Sequence, residues 1–301
     1  MAHAHGTPLG GVHVPLVTPF TADGGVALDA LEGLAHRVID DGAAGLVALG
    51  TTAEAATLDA DEKRAVVDLC ATVCRERSVA LVVGTGSNDT RHTLEALREL
   101  TRWPGATAAL VPVPYFTRPS EAGVVAHFTR LAAETPLPLV VYNIPHRTGR
   151  TLAAPALREL AALPAIIGVK HAVAGVDEDT LDLLGSPIDG FAVLAGDDLF
   201  ASPMLALGAA GGILATAQLA PRHFVTLESA WRAGDVPRAR PLGHSLAALA
   251  AAAFAEPNPT VLKGVLHARG QIPTPTVRLP LLPAHPESVE AALRRLEELD
   301  S

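Results

Sequence analysis

Short apolar runs alternate with longer segments of helical period along most of this chain. The runs fall at 11–17, 45–50, 79–84, 108–113, 137–143, 166–170, 191–196 and 212–216. Between them lie amphipathic segments such as 27–41, 61–77, 90–102 and 121–134, several opened by Ser, Asp or Thr in capping positions. Strand followed by helix, repeated eight times, predicts an α/β fold in which a parallel sheet closes into a barrel. An open doubly wound sheet would place a G-x-G-x-x-G turn after the first strand, and Val17-Thr18-Pro19-Phe20 stands there instead. Gly84-Thr85-Gly86 is only a fragment of that pattern and reads as a tight turn. Beyond residue 216 the strands stop. The remainder reads as helices punctuated by Pro237, Pro241, Pro257 and Pro259, closing in a helix over 286–299 with apolar side chains on one face. The chain therefore divides into a barrel, 1–222, that carries the chemistry and a C-terminal helical domain, 223–301.

Composition narrows the function classes. At 301 residues and 49% hydrophobic the chain can bury a large core. Its alanine-rich run over 245–254 is too short to cross a membrane, and residues 1–6 lack the basic start of a secretory signal, so a cytoplasmic protein is expected. A formal charge of −9 without a basic run argues against nucleic acid and against an anionic membrane surface. Cys70 and Cys74, the only cysteines, sit one helical turn apart and read as reduced packing residues. No His, Cys, Asp or Glu set has metal-ligand spacing, so no metal is expected. The partner should be a small molecule.

The stretch Ala165-Ile166-Ile167-Gly168-Val169-Lys170-His171 concentrates the chemistry. It is a buried strand that ends in a lysine, in a chain holding only three lysines against twenty arginines. Burying an ammonium is costly unless it is paired, and a desolvated lysine spends more time as a free amine, which attacks carbonyls. In a closed barrel the strand ends converge on one mouth. Thr51 and Thr52 stand at the second end, Tyr115 at the fourth, Tyr142 and Arg147 at the fifth, and Gly196-Asp197-Asp198 at the seventh. Together they suit imine chemistry on a 2-oxo acid: an amine nucleophile, a phenol and a hydroxyl to pass protons, amides and hydroxyls for one carboxylate, and a guanidinium fork for another. Asp197 and Asp198 read as acids capping a helix. His146 and His171 read as rim residues or neighbours of the site.

Five motifs then stand in order: Gly50-Thr51-Thr52-x-Glu54, Tyr142-Asn143-Ile144-Pro145-x-Arg147-Thr148-Gly149, Gly168-Val169-Lys170, Gly196-Asp197-Asp198 and Glu256-Pro257-Asn258-Pro259. They closely resemble the dihydrodipicolinate synthase/N-acetylneuraminate lyase family over nearly the whole chain. The resemblance implies a (β/α)8 TIM barrel with a C-terminal helical appendage, assembled as a homotetramer, that uses no cofactor beyond a covalent lysine imine with pyruvate. It makes Lys170 the imine former, Tyr142 the proton donor and acceptor, and Thr51 a relay hydroxyl. Thr52 and the Ile213 backbone hold pyruvate, with Gly196 lining the substrate site. Arg147 receives the carboxylate of the aldehyde, aspartate semialdehyde, which with Arg278-Leu279-Pro280 favours the synthase branch of lysine biosynthesis. Two residues depart from that branch: Phe116, where a second relay tyrosine that reaches into the neighbouring subunit's site is usual, and His171, where an acid is usual. They keep open a related aldolase or dehydratase for a sugar acid or hydroxy-oxo acid, and a non-catalytic paralogue that binds 2-oxo acids. Tyr115 or water would replace the missing hydroxyl.

Overall fold

Each of the eight apolar runs forms a strand in the computed structural model, which describes residues 9–300. The strands are β1 (Gly11–Pro15), β2 (Gly45–Ala48), β3 (Ala80–Gly84), β4 (Ala108–Pro112), β5 (Leu139–Asn143), β6 (Ile166–His171), β7 (Ala192–Ala195) and β8 (Gly211–Ile213). All neighbours pair in parallel and β8 returns to β1, so the sheet is a closed (β/α)8 barrel, as the rhythm predicts. The segment 1–6, on which the absence of a secretory signal was expected, lies outside the described residues. No helix among the described residues is long and apolar enough to cross a membrane, and no group of three or more potential metal ligands occurs among them.

Alternation along the strands sorts side chains between two cores. Val47, Val82, Leu110, Val140, Leu194 and Ile213 fill the barrel interior. Their sequence neighbours, such as Leu46, Leu81, Val111, Val141 and Val193, face the helices in a larger core. The helices in chain order are α1 (Leu28–Asp40), α2 (Ala60–Arg77), α3 (Thr90–Glu99), α4 (Glu121–Glu134), the single turn α5 (Pro145–Thr148), α6 (Ala154–Ala161), α7 (Glu178–Gly185), α8 (Ala201–Ala206) and α9 (Pro221–Ala233). Four of the starts follow from side chains that satisfy free amides. Asp59 and Glu62 form a reciprocal capping box on α2, and Asp89, Ser120 and Asp177 cap α3, α4 and α7. Cys70 and Cys74 are buried free thiols on α2, and burial pushes both thiol pKa values up.

Helix α9 follows β8 and packs on β1 and α8, taking the eighth helical place around the barrel. A division after residue 222 therefore falls in its first turn. The C-terminal layer is α10 (Val236–Ala253), α11 (Thr260–Ala268) and α12 (Pro286–Asp300). Pro237 and Pro241 do not break α10 as their punctuation suggested. Pro237 lies in the first turn, where an amide has no intrahelical partner, and Pro241 forgoes only the bond to the carbonyl of Pro237.

A histidine lies among the interior side chains, away from the barrel mouth. His13 on β1 is 1% exposed, and its ring fits the barrel only because Gly45 on the paired strand has no side chain: a Cβ there would lie 2.7 Å from His13 Nδ1. Burial lowers its pKa to about 4, against a weaker upward pull from the backbone of Leu9 and Gly10, with which neither ring nitrogen completes a hydrogen bond. His127 on α4, bonded to Thr90 Oγ1 at 2.9 Å, is also lowered to about 4 by burial. The folded chain thus holds both rings neutral while the unfolded chain takes up protons near pH 6.5. Their stabilisation is complete above that pH and is lost as pH falls toward 4, by up to about 3 kcal/mol each. The urea midpoint at pH 4.5 should fall below that at pH 7, and His13→Leu should flatten the difference. An equal dependence in the variant would contradict this account.

Candidate active site

Lys170 and Tyr142 are register partners on β6 and β5, and both side chains point into the barrel near its C-terminal mouth. Lys170 is 6% exposed and Tyr142 7%. Lys170 Nζ lies 4.4 Å from the centroid of the Tyr142 ring, a distance that favours a cation over the π face. Neither Lys170 Nζ nor Tyr142 Oη has a hydrogen-bonding or ion-pairing partner among the described residues. The amine is held in place by packing, free to react.

The lysine stem reaches the mouth past Gly196. A Cβ at residue 196 would lie 2.9 Å from Lys170 Cγ and 2.8 Å from Ala172 Cβ, so the Gly-Asp-Asp turn after β7 needs its glycine to let the lysine pass. Asp198, next along, is 5% exposed. Its Oδ1 accepts from the backbone N–H of Thr216 at 2.5 Å and from the Thr216 hydroxyl. Burial raises its pKa, opposed by those hydrogen bonds and by the charge of Lys170. Asp197 Oδ2 accepts from the backbone N–H of Ala174 at 2.6 Å. The two aspartates therefore do not cap a helix, as expected, but tie the loop after β7 to the loops after β6 and β8. The tie to Thr216 also explains why β8 ends at Ile213: the chain turns there into a 3-10 turn over Thr216–Gln218.

A cavity of about 680 Å³ opens above the lysine and is lined by Thr51, Thr52, Tyr142, Arg147, Lys170 and Gly196. The sequence separates these residues by up to 145 positions, and the barrel brings them to one wall. Ile213, the seventh expected residue, is buried in the interior cluster with Tyr142 and Leu194 and does not border the cavity. Thr51 and Thr52 begin a 3-10 turn, Thr51–Ala53, directly after β2. Arg147 is exposed on α5 at the rim, where Thr148 Oγ1 donates to Ile144 O at 3.1 Å and holds the turn. A second cavity of about 850 Å³ shares Thr51, Tyr142 and Arg147 with the first and extends past Tyr115 toward Trp103.

The two departures from the family pattern fall outside the cavity walls. Phe116 is 87% exposed on a loop with φ of +68° and borders neither cavity, whereas Tyr115 borders the larger one. His171 follows Lys170 on the strand and so faces the opposite way, between the barrel and α7. Its Nε2 pairs with Thr180 Oγ1 at 3.0 Å, while Nδ1 lies 3.4 Å from Asn143 Nδ2. Burial lowers its pKa. It is not a rim residue; it packs behind the site, against Asn143, the strand neighbour of Tyr142.

Two residues beyond the barrel bear on the site: Asn258, which the sequence shows in a motif without a role, and Lys263, which it does not single out. Asn258 Nδ2 donates to Thr52 Oγ1 at 3.0 Å, and Lys263 pairs with Glu54 at 2.6 Å. Lys263 reads in isolation as an ordinary helix residue. Its place within Val261-Leu262-Lys263-Gly264-Val265-Leu266, an apolar segment, is the signal that it must be buried and paired.

A closed parallel barrel with a lysine on its sixth strand that has no hydrogen-bond or ion-pair partner among the described residues, a phenol beside it, and hydroxyls and a guanidinium around the same cavity is an arrangement suited to amine chemistry on a carbonyl compound. The chain belongs to the dihydrodipicolinate synthetase family, whose model matches residues 8–299. It is 38% identical over 289 residues to the 4-hydroxy-tetrahydrodipicolinate synthase of Moorella thermoacetica, covering 96% of this chain and 98% of that protein. It is 36% identical to the Neisseria meningitidis enzyme of the same name, covering 91% and 93%. Among solved structures, the dihydrodipicolinate synthase of Acinetobacter baumannii complexed with pyruvate superposes with a TM-score of 0.91 at 35% identity, covering 98% of this chain and 99% of that one. The Thermotoga maritima synthase superposes with a TM-score of 0.92 at 30% identity, covering 97% and 99%.

Proposed function

We propose that this chain condenses pyruvate with L-aspartate semialdehyde to 4-hydroxy-tetrahydrodipicolinate through an imine on Lys170. The observation that carries the reading is the unpaired Lys170 amine, 4.4 Å from the Tyr142 ring in a cavity that also holds Thr51, Thr52 and Arg147. The amine adds to the keto carbon of pyruvate and water leaves, giving an iminium that draws electrons from the adjacent methyl carbon. Loss of a proton from that carbon gives an enamine, which attacks the aldehyde. The amino group of the second substrate then closes on the imine carbon and releases Lys170.

Tyr142 Oη is the group placed to move protons at these steps, with the Thr51 hydroxyl as relay. The Thr52 hydroxyl and the amides of the turn suit the carboxylate of pyruvate, with Gly196 on the same cavity wall; Ile213, set back from the cavity, would take part only through its backbone. Arg147 at the rim suits the carboxylate of the aldehyde substrate. The route needs no cofactor, since the imine itself is the electron sink. Because Phe116 carries no hydroxyl, Tyr115, which borders the larger cavity, or a water would fill the missing relay role.

Assembly as a homotetramer and a cytoplasmic location belong to the same proposal. The exposed apolar side chains of Phe116, Leu279 and Leu282, 87%, 76% and 69% exposed, support burial against another copy. The test of substrate is the rate of cyclic product formation from pyruvate plus L-aspartate semialdehyde, coupled to a reductase for that product. A turnover of the ordinary enzymatic range, about 1–10³ per second, is expected. An absent rate in a protein that still forms the pyruvate imine would move the assignment to another acceptor, such as a sugar-acid aldehyde.

A further inference from the structure

Lys263 on α11 has no exposed surface, and its Nζ donates to Glu54 Oε1 at 2.6 Å. The Glu54 side chain is 2% exposed. The ammonium lies 3.9 Å from the centroid of the buried Phe20 ring, and the guanidinium carbon of Arg278 lies 4.4 Å from the same ring. The other oxygen of Glu54 accepts the backbone N–H of Arg278 at 2.8 Å. Arg278 itself is fixed by Glu62 and by the carbonyls of Thr57 and Gly24. One carboxylate from the loop after β2 is thus gripped on both oxygens by the C-terminal region, 209 and 224 residues away in sequence.

Stability alone is a weak account of this arrangement, since two apolar groups of the same volume would serve at least as well without the desolvation of two charges. Fixed position is what an ion pair adds. Glu54 holds a left-handed backbone, φ of +53°, without being glycine or asparagine. It ends the turn that opens with Thr51 and Thr52. Two further bonds act on that turn: Thr18 Oγ1 donates to Ala53 O at 2.7 Å, and Asn258 Nδ2 donates to Thr52 Oγ1 at 3.0 Å. Burial draws the Lys263 pKa down to about 8, against the pull of Glu54, which leaves the ammonium charged at pH 7.

We propose that Lys263 and Glu54 are positioning residues for the 2-oxo-acid subsite: their buried ion pair locks the strained turn that presents Thr51 and Thr52 to the substrate carboxylate. The C-terminal layer is then a structural part of the active site, with Asn258 as its second point of attachment. This rests on reading the cavity as a 2-oxo-acid site.

Lys263→Met alone strands a buried carboxylate and can fail to fold, so the informative protein is the full-length Lys263→Met/Glu54→Gln double variant, in which neither charge remains. Two readouts apply: amide hydrogen exchange of the peptide spanning residues 50–57, which needs no substrate, and steady-state kinetics with pyruvate varied. The proposal expects exchange of that peptide to rise at least about tenfold while the barrel strands keep wild-type protection. It also expects KM for pyruvate to rise about tenfold with kcat lowered less than about threefold. A folded double variant with wild-type exchange over 50–57 and an unchanged pyruvate KM would overturn it. If the wild-type protein forms no imine with pyruvate, the functional reading fails instead, and the exchange result alone decides whether the pair positions the turn.

Discussion

Lys170→Ala should abolish imine formation and lower kcat/KM by at least about 10⁴-fold, the scale on which loss of a covalent nucleophile acts. The protein should fold normally. Lys170 Nζ has no direct ion-pair partner among the described residues, and Asp198, the buried acid whose charged form it favours, keeps its two hydrogen bonds from Thr216. What is lost is the packing of an aliphatic stem against Gly196 and the contact of its Nζ with the Tyr142 ring. The expected result is an inactive variant with a melting temperature close to wild type, measured by circular dichroism beside the coupled rate. An inactive variant that is also unfolded would not bear on the chemistry; an active one would remove Lys170 from the mechanism.

Tyr142→Phe should lower kcat by about 10²- to 10³-fold, within the range general acid–base groups contribute. The structure makes this a clean comparison. Tyr142 Oη has no hydrogen-bond partner among the described residues, so its loss leaves no buried polar group unsatisfied. The phenyl face over which Lys170 Nζ lies is kept, so the amine should stay where it is. Imine formation and its onward reaction should slow while pyruvate KM changes little. A variant with wild-type kcat would show that Tyr115 or solvent carries the protons.

Much of this was legible in the chain because it depends on local pattern. Period-two alternation decides that Lys170 and Tyr142 point inward, and the rule that barrel strands converge at their C-terminal ends gathers Thr51, Thr52, Arg147 and Gly196 around them. Alternation applied to the residue after Lys170 equally turns His171 outward, a consequence the motif comparison obscured. Pairings between distant elements were not legible. The partners of Glu54 lie more than 200 residues away, and Asp198 finds Thr216 through a loop whose course depends on barrel closure. The prolines of α10 do not break it: Pro237 falls among the first-turn amides that need no partner, and the rest of the helix absorbs the one bond that Pro241 forgoes. Phe116 borders neither cavity of its own chain and is 87% exposed, as a side chain that meets a second copy would be.

The most direct test of the central claim is borohydride reduction of the full-length protein in the presence of pyruvate, followed by intact-mass and peptide analysis. With only Lys63, Lys170 and Lys263 in the chain, the site of modification is readily assigned. The account predicts one reduced pyruvate adduct, on Lys170, and none in Lys170→Ala. No adduct on the wild-type protein, or an adduct on Lys63 or Lys263 instead, would contradict it.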